Sequence, residues 1–226
     1  MSAGTEMSGS TFFDEHQRAT VAAAMARIIP SDETPGATEA GTIDFLDQYL
    51  SGTGYVYAKP DGSGFEELRG KQLEAWTKRI GLLQERYVEG IEALDRTANE
   101  EGGADFVALG PEQQDHVLTV FETPRSRAET VADTSRMSLY GPPTEPALQQ
   151  TNAEIGLSFM ALLCLHTRQG FYSDPVYGGN REQVGWKNIG FAGPPNLAVT
   201  QTADYSTLDY FAENRQHPIP EENHGA

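Results

Sequence analysis

The 226-residue chain is short of cysteine, lysine and long apolar runs, and each shortage excludes something. Its one cysteine, Cys164, rules out an internal disulfide, a four-thiolate metal site and a C-x-x-C-H haem attachment within the chain. Cys164 lies in an apolar stretch and reads as a buried, inert thiol. Lysine occurs four times, against twelve arginines, while Asp and Glu total 33 and set a formal net charge of −17. A surface of that sign repels phosphate backbones and anionic lipid heads, which disfavours nucleic acid and membranes as partners. The apolar run Ile155 to Leu165 is too short for a membrane span, which needs roughly 20 residues. Residues 1–12 carry no Lys or Arg, no apolar segment and no twin arginine, so no export signal is legible. Neither G-x-G-x-x-G nor G-x-x-x-x-G-K-[ST] occurs, which argues against a nucleotide or flavin cofactor held by this chain. H-E-x-x-H is missing and the five histidines are scattered, so no metal site is supported.

What is present reads as helix. Asp14 and Gln17 have capping-box spacing, and Val21, Ala24, Met25 and Ile28 follow a helical period that Pro30 ends. SDETPGA at 31–37 is a turn cluster, followed by a short helix over about 38–50 burying Ile43, Leu46 and Leu50. Glycines and a proline mark an excursion over 52–64. The longest helix is expected over about 66–98, its stripe running through Leu73, Trp76, Ile80, Leu83, Tyr87, Ile91 and Leu94. Gly81 and Gly90 interrupt it, each costing about 1 kcal/mol relative to Ala unless a neighbouring helix uses the space. Pro111 suits the first turn of a helix over about 111–122, and a weaker helix over about 126–137 leads to the loop at 141–146. Ile155 to Leu165 is apolar on every face, the mark of a helix buried on all sides, and should stop near Gly170.

These signals predict an all-α fold: an irregular helical domain of about six helices around a buried central helix. A long aromatic and glycine-rich ribbon and a tail follow at the C-terminal end. The expected boundaries are a flexible N-terminus at 1–12, one helical domain at 13–195 and an extended arm at 196–226.

Two sets of residues stand out. His166 lies at the end of the buried stripe, with Asp174 eight residues on and Ser173 beside it. One reading is a core histidine bonded to a carbonyl or to Asp174; the other is a general base oriented by Asp174 in a stand-alone, hydrolase-like enzyme. Nothing resembles G-x-S-x-G, which weakens the second. The other set is Phe171, Tyr172, Tyr177, Asn180, Trp186 and Phe191, flanked by Arg168 and Arg181. Aromatic residues and arginine are enriched in interface cores, so these are partner-interface candidates, and they are equally a ribbon packing on itself. Asp174-Pro175 and Gly178-Gly179 read as backbone geometry.

The run HTRQGFYSDPVYGGNREQVGWKNIGFAGP at 166–194 resembles the C-terminal signature of the gluconate 2-dehydrogenase subunit 3 family. IIPSDETPGATEAGTIDFLDQYL at 28–50 resembles that family's opening motif, and the likeness covers most of residues 13–195. The resemblance implies a small non-catalytic subunit that binds, stabilises and helps mature or export a large FAD-bearing dehydrogenase subunit. That partner would be of the glucose-methanol-choline type, would oxidise a sugar, sugar acid or glycoside, and would pass electrons to a cytochrome c or another acceptor. FAD is then expected in the partner and no cofactor in this chain. As written, the chain is expected in the cytoplasm, or in the periplasm or at the cell surface if exported with its partner.

Overall fold

The computed structural model of the chain describes residues 11–123, 126–128 and 154–194. Most of the helix expected over 126–137, the 141–146 loop and the 196–226 arm lie outside them. Six α-helices fall wholly within the described residues: α1 Glu15–Ile28, α2 Thr42–Leu50, α3 Gly70–Gly102, α4 Pro111–Phe121, α5 Phe159–Tyr172 and α6 Val184–Asn188. The fold is all-α, and among the described residues the only β pairing is an isolated bridge between Ala58 and Phe65. No described helix is long and apolar enough to cross a membrane.

Helix α1 starts where its cap dictates. The Asp14 carboxylate accepts the Gln17 amide at 2.8 Å, and the Gln17 side chain accepts the Asp14 amide at 3.2 Å. Two otherwise unpaired N–H groups are thus satisfied at once. Val21, Ala24 and Met25 are buried, as the spacing predicts. Just upstream, the buried Asp47 carboxylate of α2 accepts the Phe12 and Phe13 amides at 2.8 and 3.1 Å, so the chain is already fastened at Phe12.

Helix α2 begins at Thr42, four residues after the expected start, because Gly41 takes a left-handed conformation at φ 64°. Helix α3 likewise starts at Gly70 and runs to Gly102, where Gly103 closes it in the left-handed region. Ile80, Leu83, Tyr87, Ile91 and Leu94 are buried on one face, each such side chain contributing about 1.5–3 kcal/mol. The stripe outruns the core: Leu73 is 37 % exposed and Trp76 half-buried, so the first two turns carry apolar residues beyond their packing partners. Gly90 does admit a neighbour, since a Cβ there would fall 2.1 Å from the Phe159 ring; Gly81 faces open space.

Helix α5 is central as expected and packs on α1, α2 and α3, but its limits differ from the sequence reading. The apolar run is broken at Leu157 and Ser158, and Ser158 becomes the N-cap of a helix starting at Phe159. At the other end the helix passes through Gly170 to Tyr172. Gly170 is a contact residue and not a terminator: its missing Cβ would meet Thr42 Cγ2 at 2.8 Å and the Thr42 carbonyl at 3.0 Å, so it lets α2 approach.

The aromatic and glycine-rich ribbon after α5 folds into 3₁₀ turns at Pro175–Tyr177 and Arg181–Gln183, followed by α6. Turn residues drive this. Asp174 accepts the Val176 amide at 3.0 Å, Gly178 takes φ 94°, and Asn180 takes φ 45°. Each bends the chain back before it can run along a surface.

Candidate functional site

The closing segment 173–194 is fastened to the domain by its own polar and glycine contacts. Asn180, fully buried, is its pivot. The Asn180 amide donates to the Gly170 carbonyl at 2.8 Å, its Nδ2 donates to the Ser173 carbonyl at 2.8 Å, and its Oδ1 accepts the Gly185 amide at 2.8 Å. Two glycines allow the approach: a Cβ on Gly179 would lie 2.1 Å from the Gly170 carbonyl oxygen, and one on Gly185 2.0 Å from that of Phe171. Trp186 Nε1 donates to the Tyr172 carbonyl at 2.8 Å, and its ring meets Phe191 edge-on at 5.3 Å. The Arg181 amide donates to the Ala40 carbonyl at 2.9 Å, and the Arg181 guanidinium pairs with Asp44, which also holds Arg18.

The partner-interface candidates therefore separate into two groups. Phe171, Asn180 and Trp186 are buried within the domain, at 1, 0 and 6 % exposure. Tyr177 accepts the Ala58 amide at 3.2 Å and packs against Phe65, and Phe191 packs on Trp186. Arg168 is half-buried on α5. Tyr172 (40 % exposed) and Arg181 face outward. Ile189, which the sequence reading did not single out, is 61 % exposed, one turn beyond Trp186. A lone isoleucine in a glycine-rich stretch carries no signal of its exposure.

His166 and Asp174 are not brought together. The Asp174 carboxylate caps the turn at Val176, while His166 is fully buried and turned toward α3. His166 Nδ1 lies 2.8 Å from the Tyr87 hydroxyl, and Nε2 lies 3.6 Å from Glu154 Oε1. The Tyr87 ring stacks on the imidazole at 5.6 Å and Tyr49 meets it edge-on at 5.7 Å. Burial pushes the Tyr87 and Tyr49 hydroxyls well above the usual phenol range, with the Glu154 charge adding to it, so both keep their protons. The tautomer that suits both neighbours carries its proton on Nε2, toward the carboxylate, and accepts from Tyr87 at Nδ1.

Glu154 completes the cluster. Its Oε2 accepts Arg79 Nε at 3.2 Å and Nη2 at 2.5 Å, and the Tyr49 hydroxyl lies at 3.4 Å. Burial would raise its pKa, but the adjacent His166 and Arg79 override that and hold it down at about 2. Arg79 lies 4.7 Å above the Trp76 ring. Arg79, Glu154 and Tyr49 went unrecognised in the sequence. The one available hint was a charged residue between Trp76 and Ile80 on the apolar side of α3. Among the described residues no three His, Cys, Asp or Glu side chains converge as a metal site.

Compared with known families, residues 15–193 match the model described as gluconate 2-dehydrogenase subunit 3. No curated protein and no solved structure matches the chain.

Proposed function

The chain belongs to the gluconate 2-dehydrogenase subunit 3 family, and from that premise we propose that it is a non-catalytic subunit that binds and stabilises a large FAD-dependent dehydrogenase subunit. The partner, of the glucose-methanol-choline type, carries the FAD, oxidises a sugar, sugar acid or glycoside, and passes electrons to a cytochrome c or other acceptor. This chain supplies contact surface.

One observation carries the docking role. Tyr172, at the end of α5, and Ile189, three residues beyond the buried Trp186, stand exposed. Trp186 bonds the Tyr172 carbonyl, and the segment that carries Ile189 is fixed by Asn180, Gly179 and Gly185. Apolar anchors on a pre-fixed segment lose little entropy on docking, which is how a small patch yields useful affinity. The hydrolase-like reading has no such support, because His166 is enclosed and Asp174 is engaged in a turn.

The test is co-expression with an FAD-dependent dehydrogenase subunit of the glucose-methanol-choline type from the same genome, scored by co-purification and bound FAD. The wild-type chain should raise the soluble yield of the flavoprotein and elute with it. The double variant Ile189→Asp, Tyr172→Ala should keep its melting temperature yet bind about 30-fold more weakly, the loss expected for a truncated anchor worth about 2 kcal/mol. A flavoprotein equally soluble and active without this chain would remove the proposal. Unchanged binding by the double variant would move the interface elsewhere on the molecule.

A further inference from the structure

Around Glu154 the buried donors outnumber what its carboxylate uses. Oε2 takes Arg79 Nε and Nη2 and faces the Tyr49 hydroxyl, whereas Oε1 has only His166 Nε2, at 3.6 Å. His166 Nε2 is buried without a hydrogen-bond partner, as is Arg79 Nη1, which points away from the Nε–Nη2 edge that Glu154 occupies. A guanidinium is a planar fork whose best match is two carboxylate oxygens side by side. Here two of its N–H groups converge on a single oxygen. The donor set suits a carboxylate, and Glu154, reaching in from one side, fills it incompletely.

Glu154 arrives on a strap, residues 154–158, which α3 fastens through side chains. Arg79 holds the carboxylate. Arg86, two turns further along, donates to the Ile155 carbonyl at 2.9 Å and to the Leu157 carbonyl. Gly156 between them is exposed. The box lies one side-chain layer below the surface: Arg79 sits over Trp76, and Trp76 meets the exposed Tyr57 edge-on at 5.9 Å.

We propose that Arg79, His166 and Tyr49 form a binding site for small free carboxylates, which the chain fills with its own Glu154 until the strap yields. An empty box is costly, since it would leave the Arg79 charge buried and unpaired. A free carboxylate therefore competes with a tethered one present at high effective concentration, and binding is weak in the wild type and strong once Glu154 is removed. The site is independent of the docking face around Ile189.

The full-length chain with sodium propionate tests this, with sodium chloride at equal ionic strength and neutral propionamide as controls. Glu154→Ala should melt below the wild type, and propionate alone should raise its melting temperature saturably, by several degrees. Adding Arg79→Met should abolish that response. A response to chloride or propionamide of the same size, or one that survives the loss of Arg79, would overturn the proposal. The wild-type chain gives a second readout should Glu154→Ala fail to fold. Propionate should speed amide exchange at residues 155–157 relative to chloride, and unchanged exchange would show that the strap does not yield.

Discussion

Residues 13–121 and residues 154–194 reach a buried state by different routes. In the first region burial mostly follows period: α1, α3 and α4 each turn one apolar stripe to a shared interior, with Thr20, Arg79 and Gln114 as their buried polar exceptions. In the second, helix α5 is apolar, but everything attached to it is placed by particular hydrogen bonds and by glycines that let backbones touch. Glu154, His166, Thr167 and Asn180 are all buried there. A stripe tolerates the exchange of one apolar residue for another of similar size. A polar fastening does not, because removing one partner leaves the other unsatisfied in a low-dielectric interior.

The largest expected effect falls on the polar side. Glu154→Gln leaves the Arg79 charge buried without a counter-charge and should cost about 3–5 kcal/mol in urea unfolding. A pH series sharpens the point. The Glu154 carboxyl is held at about 2, against an ordinary 4.5, so it is more acidic folded than unfolded. Its contribution is complete above pH 4.5 and disappears as pH falls toward 2. The wild type should lose stability across that window, and Glu154→Gln should flatten the loss. A Glu154→Gln chain within about 0.5 kcal/mol of wild type, the range of an ordinary surface change, would dissolve the contrast between the two regions.

Next comes Gly185→Ala. The added Cβ would lie 2.0 Å from the Phe171 carbonyl oxygen, a main-chain atom that cannot rotate away. Overpacking of this kind costs about 1–3 kcal/mol, and here it should also part the Gly185 amide from Asn180 Oδ1. Tryptophan fluorescence would report it directly, since Trp186 adjoins the site and should redden as it is uncovered. An unshifted spectrum with unchanged stability would mean that the closing segment is not pinned through this contact.

The same contrast decides what could be read in advance. The Asp14–Gln17 cap, the α3 stripe from Ile80 to Leu94 and the proline opening α4 are local patterns, and a local pattern is visible in sequence. The buried cluster is not local: Arg79 and Glu154 are 75 residues apart, and Tyr87 and His166 are 79 apart. No spacing announces such pairs. His166 was legible as unusual, but its partners were not, and Asp174 drew notice only because it is near in sequence. The aromatic residues after α5 were legible as a set. Which of them face inward depends on Gly179 and Gly185 meeting backbone carbonyls, and a glycine in sequence does not say what it meets. Gly170 shows this most directly, since a helix-ending signal turned out to be a contact with α2.

The smallest effects come from two glycines of α3, a matched pair on one helix. Gly90 and Gly81 carry the same intrinsic cost of about 1 kcal/mol relative to alanine. Their surroundings differ. A Cβ at Gly90 would fall 2.1–2.4 Å from three atoms of the Phe159 ring, which is itself packed edge-on against Tyr87 and Phe121 at 5.5 and 6.1 Å. The half-buried ring is hemmed in by those two rings and cannot give way without loosening them, so Gly90→Ala should lose about 1–3 kcal/mol through overpacking, more than the gain in helix propensity returns. A Cβ at Gly81 meets nothing within 4 Å, so Gly81→Ala should keep the propensity gain and stabilise the chain by up to about 1 kcal/mol. Thermal melts of the two single variants decide the matter by sign alone. If both destabilise, α3 is closely covered at Gly81 as well. If both stabilise, α5 does not press on α3 at Phe159, and the junction that positions the strap and His166 would have to be redrawn.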